Sequence, residues 1–208
     1  MYFENRAAAA RKLAEALSEY RGKNPLVLAI PRGAVPMAKI IADELEGELD
    51  VVLVRKVRAP GNPEFAIGSV DETGWVYLTS YASDVGADEK YIKDEVSTQL
   101  ETIRQRRAQY TPVRPPIDPA GRIVIVVDDG LATGSTMIAA LHALRAKKPG
   151  KLICAVPVAP PDTVEKVRNN ADRVVCLSSP INFYAVAQFY MDFPQITDEE
   201  VIALLAAV

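Results

Sequence analysis

Two adjacent acids, Asp128 and Asp129, follow a short β-branched run, residues 123–127, and precede a loop of small and hydroxylated residues. The apolar run reads as a fully buried strand. The loop comprises Gly130, Leu131, Ala132, Thr133, Gly134, Ser135 and Thr136, and a helix is expected from about Thr136 onward. A strand end places both carboxylates in the crevice above a sheet. A small-residue loop at a helix N-terminus leaves backbone N–H groups bare, and these donors, with the helix dipole, favour an anion. Carboxylates beside an anion cradle suit a ligand that carries hydroxyls or a metal next to a phosphate. A sugar phosphate fits.

Other phosphate loops do not match. A Walker-type loop ends in Gly-Lys-Ser/Thr, and residues 122–141 hold no lysine. A dinucleotide fold places Gly-x-Gly-x-x-Gly after its first strand, without two acids in front. The stretch VVDDGLATGST resembles the ribose-phosphate-binding motif of the type I phosphoribosyltransferases, which is an apolar strand, two acids and a short Thr-Gly-containing loop.

The elements needed to position this motif are legible on both sides of it. A helix is expected over residues 6–20, with Asn5 as its cap, Leu13, Leu17 and Tyr20 inward, and Gly22 just past its end. The run LVLAI, residues 26–30, reads as a first strand, followed by Pro31-Arg32-Gly33-Ala34 and a helix to about residue 46 with Pro36 in its first turn. DVVLVR, residues 50–55, reads as a second, parallel strand after that crossover. Then KVRAPGNPEF brings turn formers, and two short strands, 66–71 and 75–79, flank a tight turn at 72–74. A long helix over 88–110, a proline-rich connector, strands at 151–158 and 173–177 with a helix at 162–169 between them, and a last helix capped by Thr197 and Glu200 complete the chain. The expected architecture is α/β: a single doubly wound domain, 1–208, with a mostly parallel sheet of about five strands, flanking helices, a flexible hairpin lid near 56–80 and a small C-terminal hood near 178–208.

The resemblance implies roles residue by residue. Asp128 and Asp129 would hold the ribose hydroxyls and lie near a magnesium ion, itself held mainly by substrate oxygens and water. Displacing pyrophosphate from C1 of the ribose builds positive charge, which nearby carboxylates stabilise. Backbone N–H groups from about Leu131 to Thr136, with the Thr133, Ser135 and Thr136 hydroxyls, would hold the 5-phosphate. Arg32 and Gly33 occupy the family's pyrophosphate loop, the first as a fork of donors and the second allowing close backbone approach. Arg55 and Lys56 resemble the basic pair at the base of the family's flexible loop, with Lys56 reaching pyrophosphate and Arg58 in reserve. Phe183 or Tyr184 would stack on a planar acceptor from the hood.

The implied activity is magnesium-dependent transfer of phosphoribosyl from phosphoribosyl pyrophosphate to a nitrogenous acceptor, such as a nucleobase or similar amine. The alternative is a regulator that senses phosphoribosyl pyrophosphate or a nucleotide without turnover. One departure bears on the acceptor: Ala132 stands where hypoxanthine–guanine enzymes carry an aspartate, which argues against a 6-oxopurine. Together PRGAVP, VRKVRAPGNPEFAIGSV and AVAQFYMDFPQITDEEV most resemble a subgroup usually called predicted phosphoribosyltransferases, whose acceptor is not named by the motif. A homodimer follows by family analogy, with the long helix offering surface.

Composition bounds the rest. Net charge is −3, so no basic stripe supplies a nucleic-acid footprint, and the cluster Arg104, Arg106, Arg107 reads as the solvated end of a helix. No apolar run approaches the ~20 residues that cross a bilayer, and the N-terminus lacks a signal-peptide core. Cys154 and Cys176 fall in expected buried strands and read as free thiols, and His142 as a structural or surface residue. A cytoplasmic address is expected.

Overall fold

The apolar run before the acid pair forms the middle strand of a five-stranded parallel sheet in a computed structural model. The structure describes residues 1–207 apart from the side chain of Glu64; Val208, the expected end of the hood, lies outside the described residues. In chain order the main sheet contains β1 (Leu26–Ala29), β2 (Glu48–Val51), β6 (Ile123–Val127), β7 (Lys151–Val158) and β8 (Arg173–Ser178), arranged β2-β1-β6-β7-β8. The helices are α1 (Arg6–Ala16), α2 (Val35–Leu45), α3 (Glu89–Tyr110), α4 (Ser135–Ala146), α5 (Pro161–Arg168) and α6 (Asp198–Ala206).

Alternation along the strands sorts the core into two layers. Val27, Ala29, Ile125, Val127, Ile153 and Ala155 pack with α1 and α2 on one face. Leu26, Leu28, Val124, Val126, Leu152 and Cys154 face α4 and α5 on the other. Because both faces are covered, the β-branched runs carry no polar alternation. Truncating a fully buried residue such as Ile125 to alanine would cost about 2–5 kcal/mol.

Register then places the site. Ala29 pairs with Val127, and Val127 with Ala155, so the segments leaving β1 and β6 emerge side by side at one sheet edge. The caps read from sequence are formed: Asn5 accepts the Ala8 N–H at 2.9 Å, and Thr197 with Glu200 makes a reciprocal box at the start of α6.

The second strand differs from expectation. DVVLVR is one apolar run in sequence but serves two sheets: β2 ends at Val51, and Val54 begins β3 (Val54–Ala59) of a separate antiparallel sheet with β4 (Asn62–Asp71) and β5 (Val76–Leu78). Most of the turn-rich KVRAPGNPEF is therefore paired strand, with only Pro60 and Gly61 at the turn, where Gly61 has φ +69°. The expected turn at 72–74 is present, because Asp71 Oδ1 accepts from the N–H groups of Thr73 and Trp75 at 2.8 and 3.1 Å.

The basic cluster on α3 also departs from expectation. Arg104 is exposed, but Arg107 donates to both oxygens of Glu72 at 2.9 and 2.6 Å, and Arg106 lies 3.7 Å from Asp198. The helix end is covered by the lid on one side and α6 on the other, so two of these three cations are structural. Cys154 and Cys176 are free thiols. Among the described residues no helix is long and apolar enough to cross a membrane.

Candidate active site

The ends of β1 and β6, the start of α4, the antiparallel lid and the hood enclose a cavity of about 560 Å³. Gly33, Lys56, Asp128, Asp129, Tyr184 and Thr136 all line it, as do the loop residues Gly130, Leu131, Ala132, Thr133 and Gly134. A neighbouring pocket of about 350 Å³, sharing Ile30, Pro31, Lys56 and Thr136 with the first, is walled by Arg55 and Arg58. Most of the residues singled out in sequence thus meet at one sheet edge. Arg32, Ser135 and Phe183 line neither pocket.

The acid pair sits in a low-dielectric corner. Burial pushes the Asp128 carboxyl well above the usual carboxylate range, and the charge of Asp129 adds to this, while Lys56 and Arg6 pull the other way. Burial also raises Asp129, opposed chiefly by the Arg6 guanidinium. Arg6 was not anticipated from sequence. Its Nε and Nη2 donate to Asp129 Oδ2 at 3.0 and 2.9 Å, and Nη1 donates to the Pro194 carbonyl at 2.6 Å. One sequence signal pointed to it: a cation in the first turn of a helix opposes the helix dipole, so Arg6 needed an acid from elsewhere.

The loop presents an anion cradle. Gly134 takes φ +76° and begins α4 with no side-chain cap, so the first-turn N–H groups are the donors an anion would meet. Thr163 Oγ1 donates to the Ala132 carbonyl at 2.7 Å and steadies the loop from α5. Two expected donors are already committed. The Leu131 N–H donates to the Val158 carbonyl at 2.9 Å, and the N–H of Ser135, a residue 2% exposed, donates to Thr133 Oγ1 at 3.4 Å while its hydroxyl accepts from Ser69 Oγ at 3.3 Å. As the first residue of α4, Ser135 turns toward β4 rather than into the cavity.

The basic groups divide. Lys56 faces the acids. Arg55 is half-buried behind it and donates to Gln99 Oε1 at 3.0 Å; burial, then the guanidinium groups of Arg106, Arg58 and Arg32, lower its pKa. Arg32, expected to face pyrophosphate, instead reaches Asp198 Oδ2 at 3.3 Å, drawn to the acid at the start of α6. In the hood, Phe183 packs on Phe189 with ring centroids 5.0 Å apart, so of the two expected aromatics it is Tyr184 that lines the cavity, beside Val186. Phe65 and Tyr81, with ring centroids 5.5 Å apart and not singled out in sequence, line the same cavity. His142 lies outside, stacked on Trp75 at 3.6 Å.

Among the described residues no three His, Cys, Asp or Glu side chains gather as a metal cage. The cavity does offer a cation the Asp128 carboxylate and the Asp129 oxygen that Arg6 leaves unengaged. This set fits a hard ion whose shell comes largely from substrate and water.

A family profile described as "Phosphoribosyl transferase domain" matches residues 1–194. The chain belongs to the phosphoribosyl transferase domain family. A crystal structure of TT1426 from Thermus thermophilus is 47% identical, with a TM-score of 0.82 over 100% of this chain and 99% of that one. Among curated relatives, Mycobacterium tuberculosis proteins described as "Putative phosphoribosyl transferase" MT0597 (strain CDC 1551 / Oshkosh) and Rv0571c (strain H37Rv) are each 39% identical over 204 residues, 98% of this chain. The chain spans 46%, about half, of the length of those relatives. Within the phosphoribosyl transferase fold, the acid pair and its loop occupy the edge where open parallel sheets bind ligands.

Proposed function

We propose that the protein transfers a phosphoribosyl group from phosphoribosyl pyrophosphate to a nitrogenous acceptor, a nucleobase or similar amine, with magnesium and with release of pyrophosphate. The observation that carries this reading is the convergence of two carboxylates, an uncapped helix start and Lys56 on one cavity. Each supplies one part of the reaction. The α4 N-terminus and the Thr133 and Thr136 hydroxyls hold the 5-phosphate, giving the sugar a fixed end. Asp128 and Asp129 hold the ribose hydroxyls and stabilise positive charge as the bond from C1 to pyrophosphate breaks. Lys56 and Arg58 draw off the leaving group's charge. Bound magnesium, near Asp128 and Asp129, would neutralise the pyrophosphate further.

The lid and hood complete the site. The β3–β4 hairpin carries Lys56 and Phe65, so its approach brings the leaving-group cation and excludes water together. Tyr184, 90% exposed, gives a free aromatic face for a flat acceptor in the cavity that Phe65 and Tyr81 also line.

A panel of nucleobases and amines, incubated with magnesium and phosphoribosyl pyrophosphate, tests the reading through pyrophosphate release. Acceptor-dependent release by the wild type, abolished by Asp128→Asn/Asp129→Asn, is expected. Tight donor binding with no release across the panel would favour the sensing regulator.

A further inference from the structure

We infer that Arg6, in the first turn of α1, is a positioning residue for the donor site: it fixes the carboxylate of Asp129 so that Oδ1 is the oxygen offered to the ribose. This rests on the phosphoribosyl-donor reading of the cavity. The geometry is over-determined. Both nitrogens that Arg6 sends to Asp129 converge on Oδ2, and the third goes to the Pro194 carbonyl. The guanidinium lies over the Phe193 ring, 3.7 Å from its centroid, and the residue is only 9% exposed. Every nitrogen of the fork has an acceptor and one face has an aromatic partner, which is how a nearly buried guanidinium avoids a desolvation penalty.

Asp129 is held from its other sides as well. The Tyr190 hydroxyl donates to its backbone carbonyl at 2.7 Å, and Gly33 stands against its carboxylate. Tyr190 is in turn paired with Phe3 as an isolated parallel bridge, and the Phe3 N–H donates to the Phe189 carbonyl at 2.8 Å. The chain's first residues and its hood therefore close on the second acid together. A carboxylate locked by its surroundings loses little freedom when it meets the sugar hydroxyls. Lysine cannot reproduce the contact, having no planar fork to span Asp129 and Pro194 at once.

The test is a double-mutant cycle read by calorimetry, with phosphoribosyl pyrophosphate plus magnesium as one probe and inorganic phosphate as the other. Arg6→Gln should weaken the donor on the order of ten- to a hundredfold and leave inorganic phosphate unchanged, since the loop does not use Arg6. In an Asp129→Asn background the same substitution should have little further effect, because Arg6 acts through Asp129. Arg6→Lys keeps the charge, provides the reading if Arg6→Gln does not fold, and should lose an intermediate amount of donor affinity. Equal weakening of both probes, or an undiminished Arg6 effect without Asp129, would show a merely structural role and overturn the inference. A wild type that binds no donor defeats the donor reading and the inference with it; a wild type that binds, with Arg6 variants that bind equally well, defeats the inference alone.

Discussion

Gly33 and Asp129 stand so close that a Cβ on the glycine would overlap the aspartate's Oδ2 and come within 3.1 Å of Arg6 Nη2. The glycine after β1 and the acid after β6 thus share one small space, brought together by the register of two parallel strands. The sequence suggested that Gly33 makes room for a ligand. In the structure it lines the cavity and also makes room for the acid.

Gly33→Ala should therefore displace the Asp129 carboxylate without disturbing the sheet. Donor affinity should fall by at least about tenfold, since misplacing a positioned group by even 1 Å is costly. Titration of the purified variant checks this, with far-ultraviolet circular dichroism to show an unchanged fold. Unaltered affinity would mean that the aspartate can shift without loss.

Lys56 faces the acid pair from β3, where its charge opposes their raised pKa values. Lys56→Gln should lower kcat for pyrophosphate release by about a hundredfold while changing the donor Kd much less. Parallel losses in both would assign Lys56 to ground-state binding only.

The lid is anchored at its far turn by Arg107 and Glu72, whose side chains are 20% and 32% exposed. Arg107→Ala should cost about 1–2 kcal/mol, between the values for an exposed pair and a buried one. Urea denaturation measures it. A change within error would mean that the pair adds nothing to the docking of α3 on the lid.

Asp172 gives a pH signature. Its carboxyl lies below the ordinary range, held down first by the Arg145 hydrogen bond, opposed next by burial, and lowered further by the Leu152 N–H. For an acid lowered on folding, the stabilisation is fully present above the unfolded pKa and is lost as pH falls through the folded one. The wild type should exceed Asp172→Asn in Tm near neutral pH, by a contribution of about 1 kcal/mol or less because the pair is largely solvated. That difference should shrink toward zero in strong acid. A gap that is constant with pH would assign it to packing instead.

The parts legible in sequence were those encoded by local pattern. The β6 run, its two acids and the small-residue loop are contiguous, and their order carried both strand and anion cradle. The capping box of α6 and the cap at Asn5 are equally local. What sequence could not give depends on distant partners. Arg6 meets Asp129 across 123 residues, and Arg32 meets Asp198 across 166. The break between β2 and β3 was hidden because Val52 and Leu53 are as apolar as their neighbours and buried in both settings. Phe183 and Tyr184 are adjacent and both aromatic, so only the path of the hood decides which one faces the cavity.

The most direct measurement is a calorimetric titration of phosphoribosyl pyrophosphate, with and without magnesium, into wild type and the Asp128→Asn/Asp129→Asn double variant. Magnesium-dependent binding by the wild type, lost in the double variant, is the expected result. A well-folded wild type that takes no phosphoribosyl pyrophosphate under either condition would contradict it, for the transferase and the donor-sensing regulator alike.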